Sequence, residues 1–430
     1  MPRVAAACLV GSTVESYDFA IYSLAAALVF PVVFFPHLDP TTATIAATGT
    51  FAAAALSRPL GAAVFGHFGD RLGRKKTLVT TLLIMALSTV TVGLVPSAAT
   101  IGVAAPLILI GLRLLQGLAV GGEWAGSALL SAEYAPAAKR GRYSMFTPLG
   151  LCTGSVLASS TFLSVSYTMG EHSPAFLQWG WRLPFLVSAA LISVGLYVRS
   201  HIDETPVFTE EKTRHVVPKA PLAELLRRQH REVLLAAGSL FCPYTFNFVA
   251  SSLLATYAHT DLGYSRNVIL IVGALAALVS IPFTAFSATR CDRVGRRRLM
   301  LVGWTACLPW PLVMIPLIDT GKPICYAVAI VGMYTATAIG CGPTTALLPE
   351  LFATRYRYSG TALANNLSGI AGGAMPPLVA GSLAAFGSWA IGPMLATAAS
   401  ISLLCTYLLP ETKGIALQSI RGPDDAVMAS

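Results

Sequence analysis

Charged residues are scarce in this sequence. Only 11% of its 430 residues are Asp, Glu, Lys or Arg, whereas about a quarter of the residues in a soluble domain are usually charged. Hydrophobic residues make up 55% of the chain, and the mean hydropathy is +0.67. This balance argues against a soluble protein and indicates a chain that is solvated mainly by lipid.

Cysteine and histidine lack the spacing that a metal site requires. The eight cysteines are scattered over apolar runs, without the pattern of a metal centre or of a secreted disulfide framework. The histidines show no ligand spacing either, and nucleotide-binding motifs are missing. We therefore expect no metal, no cofactor and no enzymatic activity, and any transport would be driven by an ion gradient rather than by ATP.

A cleavable signal is not evident, because the first apolar run is too long for a signal-peptide core and carries acids at its centre. It is instead the first of twelve runs that are long enough to cross a bilayer, which takes about 20 residues. The runs lie near 5–35, 43–65, 77–96, 101–126, 143–168, 182–198, 233–258, 266–289, 299–318, 324–348, 359–386 and 387–409. They predict an all-α, polytopic membrane protein.

The basic residues are distributed unevenly between the two sides of this predicted bundle. With the N-terminus placed in the cytoplasm, the inner loops and ends hold 24 of the 29 Lys and Arg, and the outer loops contain only Lys322. This asymmetry is typical of inner-membrane proteins, and the inner basic side chains can reach lipid phosphates. It explains the net charge of +9 without nucleic acid, and it predicts that both termini are cytoplasmic.

Two short strings occur twice. "DRLGR" at 70–74 returns as "DRVGR" at 292–296, and "RGRYS" at 140–144 returns as "RYRYS" at 355–359. Each copy falls at an equivalent inner loop, so the chain is predicted to be two parallel repeats of six helices. The predicted units are a bundle over 1–198, a cytoplasmic linker over 199–231, a second bundle over 232–410 and a tail over 411–430.

The first run places two acids in the middle of the predicted membrane span. A charge at that depth costs about 2.5–3.5 kcal/mol on insertion scales, so it normally faces a cavity or a partner. Glu15 and Asp18 are three residues apart and share a helix face. Their proximity disfavours double ionisation, so we predict that they couple transport to protons. Asp18 is the better candidate, and Glu15 is equally suited to proton coupling and to a structural ion pair.

Arg113, near the middle of the fourth run, is too deep to reach solvent easily. It is predicted either to bind a substrate carboxylate or to tune Asp18. Glycines beside it, Gly117 and Gly121, favour close helix packing over ligand contact. The other predicted substrate-binding residues are uncharged polar groups on helices: Tyr22, Gln116, Tyr244, Asn247, Asn365 and Asn366.

Conformational roles are predicted for charged groups near the inner helix ends. Arg58 is expected to pair with Glu15 or Glu123, and Glu133 and Glu350 are expected to latch onto loop arginines. The full predicted gating set is Arg58, Asp70, Arg71, Arg74, Glu123, Glu133, Asp292, Arg293, Arg296 and Glu350. In addition, the glycines and prolines of "GIAGGAMPP" predict a break in the eleventh helix.

The sequence resembles the metabolite:proton symporters of the major facilitator superfamily, which include bacterial α-ketoglutarate, citrate, shikimate and proline/betaine permeases. The resemblance rests on "GSTVESYDFAIY", "SRPLGAAVFGHFGDRLGRKK", "RLLQGLAVGGEWAGSA" and "LFATRYRYSGTAL". It implies a twelve-helix monomer in the bacterial cytoplasmic membrane that imports a small polar metabolite with protons by alternating access. The seventh helix lacks the charges expected in many relatives, so the resemblance does not identify the substrate.

The leading hypothesis is therefore proton-coupled import of a small organic acid, favoured by the two intramembrane arginines. Two alternatives remain open from the sequence. One is efflux of a drug or metabolite by proton antiport on the same fold. The other is a membrane sensor that does not transport, although such a sensor has no need of titrating groups at this depth.

Overall fold

The computed structural model describes residues 2–170, 173–201, 221–415 and 417. Most of the predicted linker and of the predicted tail lies outside these residues. The described chain forms twelve long helices. In the first half these are α1 Pro2–Leu28, α2 Pro40–Leu72, α3 Arg74–Leu94, α4 Ala104–Tyr134, α5 Phe146–Met169 and α6 Leu183–Ser200. In the second half they are α7 His230–Thr260, α8 Arg266–Val294, α9 Arg296–Asp319, α10 Pro323–Leu351, α11 Thr354–Phe386 and α12 Ile391–Leu408.

By length and composition, 11 helices of the described chain can cross a membrane, and the 33-residue α2 lies where the second span is predicted. Short helices connect or precede the long ones. They are Phe30–Phe34, Ala98–Ile101, Arg140–Ser144, Pro174–Gln178 and Pro221–Arg228. The twelve-helix architecture predicted from the apolar runs is confirmed.

Some of the long helices are irregular, and only part of this irregularity has a cause in the sequence. In α11 the regular helix ends at Gly373 and resumes at Met375, with Pro at its first turn, as "GIAGGAMPP" predicts. In α7, the six residues Val249–Leu254 form a π-helical turn. Nothing in the sequence pattern predicts that turn, and such turns are frequent at functional sites.

The two halves meet along α2 with α11 and along α5 with α8. Both repeated loops turn at a glycine in the left-handed region, Gly73 with φ 111° and Gly295 with φ 117°, a conformation that costs glycine little. The end of the bundle that carries loops 66–76, 136–142 and 290–298 is called the basic end below. It is where the repeated strings of the two halves come together.

Candidate functional site

Six ionisable side chains interact with one another inside the first half. Each acid lies in electrostatic range of at least one arginine, and Glu123 is close enough to act on both other acids. With three acids and three bases, the group is electrically neutral when all are ionised, which lowers the cost of burying it. We call this group the charge cluster: Glu15 and Asp18 of α1, Arg58 of α2, Arg113 and Glu123 of α4, and Arg199 of α6.

Asp18 lies deep among the helices of the first half, with 3% of its surface exposed. Its Oδ2 accepts a hydrogen bond of 2.9 Å from the Thr89 hydroxyl of α3, and that hydroxyl accepts one of 2.6 Å from Gln116 Nε2 of α4. Gln116 thus supports Asp18 through Thr89. A sequence pattern does not reveal Thr89, because threonine is common in apolar helices.

Arg113 is also buried, with 2% of its surface exposed, and its guanidinium lies over the ring of Tyr22. This is a cation–π arrangement, which is strongest when both groups are removed from water. The Tyr22 hydroxyl is hydrogen-bonded to Thr50 of α2. The structure therefore places Arg113, Tyr22 and Asp18 together within the first half.

Glu123 pairs with Arg199, 2.9 Å away, and not with Arg58 as the sequence suggested. Both side chains are at most 3% exposed. Arg199 also donates to the Leu78 carbonyl at 3.2 Å, and its guanidinium lies against Gly11 of α1, where any Cβ would collide with it. Sequence analysis missed Arg199, because it follows the sixth apolar run, 182–198, and was counted among the loop bases.

Glu15 and Arg58 are the two members of the cluster that are half-buried rather than fully buried. Arg58 Cζ lies 5.1 Å from the centroid of the Phe19 ring. Both Arg58 and Glu15 are in electrostatic range of Tyr244, a residue of α7 in the second half. They therefore lie on the side of the cluster that faces the interface between the halves.

The predicted polar residues of the second half form two groups. Tyr244 donates a hydrogen bond of 2.8 Å from its hydroxyl to Asn365 Oδ1 of α11. Asn366 Nδ2 reaches across the interface to the Gly121 carbonyl of α4, also at 2.8 Å. Exposed Asn247 makes only a long contact, 3.4 Å from its Nδ2 to the Tyr334 hydroxyl. Tyr244 and Asn365 are thus close to the cluster, whereas Asn366 joins the two halves.

At the basic end, the aspartate of each repeated loop binds backbone amides of the opposite half. Asp70 accepts hydrogen bonds of 3.0 Å from the amides of Tyr358 and Ser359 at the start of α11. Asp292 accepts bonds of 2.9 and 3.0 Å from the amides of Gly141 and Arg142. Anions are stabilised at helix starts, where amides lack intrahelical partners. Each "DR(L/V)GR" loop thus docks on the "R(G/Y)RYS" string of the other half.

The glutamates of this end bind arginines from both halves. Glu133 lies 3.3 Å from Arg74 of its own half and 3.4 Å from Arg357 of the other. Glu350 correspondingly binds Arg296 of its own half, 3.2 Å away, and Arg140 of the first half. We call the two aspartate contacts and these crossed ion pairs the basic-end latch.

Some of the predicted gating residues take part in the ion pairs of the latch, and others do not. Arg74 and Arg296 are the loop arginines that bind the glutamates. Arg71 is exposed and contacts His67, 3.3 Å away, and exposed Arg293 offers its carbonyl to Lys413 Nζ at 2.6 Å. The structure therefore puts neither Arg71 nor Arg293 into the ion pairs, and it adds Arg140 and Arg357, which sequence analysis did not assign to the gate.

The described part of the tail closes over this latch. Thr412 donates to Glu350, the Ile415 carbonyl accepts from Arg140 at 3.1 Å, and the Leu417 carbonyl accepts from Arg357 at 2.8 Å. The tail thus contacts side chains of both halves.

Comparison with known proteins identifies the family. A family model described as Major Facilitator Superfamily matches residues 9–376, which is most of the chain. The chain belongs to the Major Facilitator Superfamily. The resemblance noted in the sequence is confirmed.

Curated relatives of this superfamily member are metabolite transporters. The inner membrane metabolite transport protein YhjE of Escherichia coli K12 is 40% identical over 421 residues, covering 96% of this chain and 94% of the relative. The shikimate transporter of the same strain is 34% identical over 427 residues, covering 96% and 95%. The chain is therefore a multi-pass membrane transporter of metabolites and not an enzyme.

A solved structure of the proton:xylose symporter XylE, bound to 6-bromo-6-deoxy-D-glucose, has the same fold. The two superpose with a TM-score of 0.78 and 18% identity, over 97% of each chain. At this identity the similarity establishes the two-bundle fold of the superfamily and nothing about the substrate.

Proposed function

We propose that this transporter imports a small organic acid, or a related polar metabolite, together with protons by alternating access. The observation that supports the proposal is the charge cluster. It contains three acids and three arginines within a membrane-spanning bundle, and a structural ion pair needs only one of each. Asp18 and Glu15 are the candidate proton carriers, and Arg113, Tyr22, Gln116, Tyr244 and the asparagines of α7 and α11 are candidate substrate contacts.

Electroneutrality connects the substrate to the proton. When all six groups are ionised the cluster is neutral, so a bound carboxylate adds one negative charge in a medium where an uncompensated charge costs several kcal/mol. Protonation of one cluster acid cancels that charge. Binding of an organic acid and binding of a proton therefore favour each other, which is the condition for symport.

Alternating access requires that one end of the bundle be closed while the other opens. The latch joins the halves at the basic end, which we assign to the cytoplasm because of its arginines and lysines. In this assignment the transporter is closed to the cytoplasm. The protein acts as a monomer in the bacterial inner membrane, since both the cluster and the latch are formed within one chain.

Uptake into right-side-out vesicles tests the function. The panel contains radiolabelled shikimate, α-ketoglutarate, citrate and proline, each with and without a protonophore. We expect accumulation of at least one acid, abolished by the protonophore. Uptake confined to proline would contradict the proposal that the substrate is an organic acid. Accumulation in inverted vesicles alone would indicate efflux.

The orientation is tested with single cysteines on a background without native cysteines. Arg142 and Lys322 are both exposed and lie at opposite ends of the bundle, whereas Arg357 is buried and unsuitable. On intact cells, an impermeant maleimide should label Lys322→Cys and leave Arg142→Cys unlabelled until the membrane is permeabilised. The reverse pattern would overturn the orientation.

A further inference from the structure

We infer that Arg58 binds the substrate carboxylate between the two halves, and that Glu15 takes up the proton. Protonation of Glu15 frees Arg58 to bind the substrate. This inference rests on the proposed function and names the residues that carry it out. It differs from the sequence-based assignment, in which Arg113 binds the carboxylate and Asp18 carries the proton.

Position distinguishes Arg58 from the other two arginines of the cluster. Arg113 is 2% and Arg199 is 3% exposed, and each is enclosed by helices of the first half. Arg58 is half-buried and reaches the second half, because a Cβ built on Gly369 of α11 would lie 3.9 Å from its Nη1. Only a group at this interface can be exposed alternately to the two sides as the halves move.

The groups beside Arg58 suit an organic acid. The same Cβ on Gly369 would lie 3.6 Å from Tyr244 Cε1, so the glycine leaves room for a methyl group between the guanidinium and the ring. The Tyr244 hydroxyl and the Asn365 amide, bonded to each other at 2.8 Å, add hydrogen-bonding groups beside it. A planar guanidinium can bind a carboxylate with two parallel hydrogen bonds.

Two polar atoms at this point have no hydrogen-bond partner among the described residues. They are Arg58 Nε and Glu15 Oε2, and both are shielded from solvent. A buried polar atom without a partner is costly, and a carboxylate bound to Arg58 supplies acceptors for the first. Once the substrate has taken Arg58, protonation of Glu15 removes the negative charge that the Glu15 carboxylate would otherwise carry without compensation.

Glu15 is better placed than Asp18 to exchange with a substrate. The charged groups around Glu15 are Arg58 of α2, Glu123 of α4 and Arg199 of α6, and Tyr244 of α7 faces it from the second half. Because Arg199 is already paired with Glu123 at 2.9 Å, Arg58 is the cation whose attraction for Glu15 can be redirected to a substrate. Asp18, by contrast, is held by Thr89 inside the first half.

The charges balance in this exchange. With Glu15 ionised, the cluster is neutral and Arg58 attracts Glu15. A proton converts the Glu15 carboxylate into a carboxylic acid, and the substrate carboxylate then binds Arg58, so the total charge remains zero. On the other side of the membrane the substrate leaves, Glu15 loses its proton to that side, and Arg58 again attracts Glu15.

Transport by variants in proteoliposomes tests the inference with shikimate, α-ketoglutarate and citrate as probes. For the acid that the wild type takes up, Arg58→Gln should lower the apparent affinity about ten- to a hundredfold, which corresponds to one charge-assisted hydrogen bond. The apparent affinity of Arg58→Lys should lie between those of the wild type and Arg58→Gln, because lysine keeps the charge without the planar pair of donors. The matched control is Arg290→Gln, at an exposed arginine outside the cluster, which should not change affinity.

The two acids are compared by isosteric substitution. Glu15→Gln should retain exchange of labelled for unlabelled acid while losing uphill accumulation and the pH dependence of affinity. Asp18→Asn should keep the pH dependence of affinity that Glu15→Gln loses, whatever its effect on the rate of transport. Wild-type affinity in Arg58→Gln, or loss of this pH dependence in Asp18→Asn with retention in Glu15→Gln, would overturn the inference while leaving proton-coupled transport intact.

A chemical probe makes the test independent of the substrate. Dicyclohexylcarbodiimide modifies protonated carboxyl groups in apolar surroundings, and mass spectrometry locates the product. Removing the Arg58 charge favours protonation of Glu15, so Arg58→Gln should increase modification of Glu15 severalfold at neutral pH. Unchanged modification would show that Arg58 and Glu15 are not coupled. If the wild type takes up none of the acids, the proposed function fails, yet this arm still tests the pair.

A steric variant covers the case in which Arg58→Gln does not fold. Gly369→Leu places a bulky side chain against Arg58 and should block acid binding, whereas Gly369→Ala adds only a methyl group at ordinary van der Waals distance and should impair binding far less. Normal transport by a folded Gly369→Leu protein would contradict the assigned position of the substrate.

Discussion

A single residue, Arg199, provides the ion-pair partner of Glu123 in the charge cluster. We predict that Arg199→Gln destabilises the protein by about 3–5 kcal/mol, because Glu123 is then left buried without its partner. The double variant Arg199→Gln/Glu123→Gln should recover most of that loss, since no uncompensated charge remains. Thermal unfolding in detergent, measured for the wild type, both single variants and the double variant, gives the coupling between the two residues.

If the losses of the two single variants simply add in the double variant, Arg199 and Glu123 do not stabilise each other. The Arg182→Gln variant is a useful reference, because Arg182 is bonded to backbone carbonyls, Gly93 O and Val95 O, each 2.8 Å away. Removing Arg182 therefore costs hydrogen bonds, but it leaves no buried carboxylate.

For single residues, the sequence predicts which side chains belong to the cluster and the latch better than it predicts which residues they contact. Five of the six cluster members are recognisable as charges inside apolar runs. Arg199 is not, because its Cα lies near the end of α6 while its side chain turns back into the bundle. Likewise Glu133 and Glu350 are recognisable, but their bonds to Arg357 and Arg140 depend on how two separate bundles pack, which no spacing along the chain encodes.

At the scale of helices, glycines determine how closely α2 and α4 approach. A Cβ on Gly117 would collide with the backbone carbonyl of Ala54 and the side chain of Ser57, whereas one on Gly111 of the same helix would meet nothing within 4 Å. We predict that Gly117→Ala separates the two helices and costs about 1–3 kcal/mol. Gly111→Ala, the matched control, should be neutral or slightly stabilising, since alanine favours helix.

Thermal unfolding of the two variants in the same detergent measures the difference. Equal unfolding temperatures would show that α2 and α4 can move apart without cost. The position of Arg58 depends on this contact, because a Cβ on Gly121 would strike the Arg58 carbonyl. A reduced affinity for the transported substrate in Gly117→Ala would therefore show that packing positions the guanidinium.

The breaks in the helices were only partly predictable. Proline and glycine mark the interruption of α11 because each changes the backbone at its own position. The π-helical turn at Val249–Leu254 of α7 contains neither proline nor glycine. This turn follows Tyr244 and Asn247 along the helix, so α7 is irregular close to the interface between the halves.

At the scale of the whole molecule, the repeat seen in the sequence becomes an approximate two-fold arrangement of contacts. Each half supplies an aspartate to the helix start of the other, and each glutamate binds one arginine from either half. The duplicated strings predict that the loops are equivalent. They do not predict that each loop docks on the opposite half, because duplication alone is equally compatible with contacts inside each half.

The last prediction concerns the stability of the closed basic end. Asp70→Asn or Asp292→Asn removes a carboxylate that accepts two amide hydrogen bonds across the halves, and each such bond contributes about 1.5–3 kcal/mol when one partner is charged. Since two transporter conformations differ by only a few kcal/mol, either change should shift the population markedly toward opening at this end. Spin labels on exposed Lys76→Cys and Arg298→Cys report the separation by double electron–electron resonance, and a longer distance should appear in both variants.

The matched control is Asp319→Asn, whose carboxylate accepts bonds of 2.9 and 2.6 Å from Tyr257 and Ser388 within one half. Because that substitution leaves the interface untouched, its distance distribution should equal the wild type's, and the same lengthening there would show that the latch does not hold this end closed.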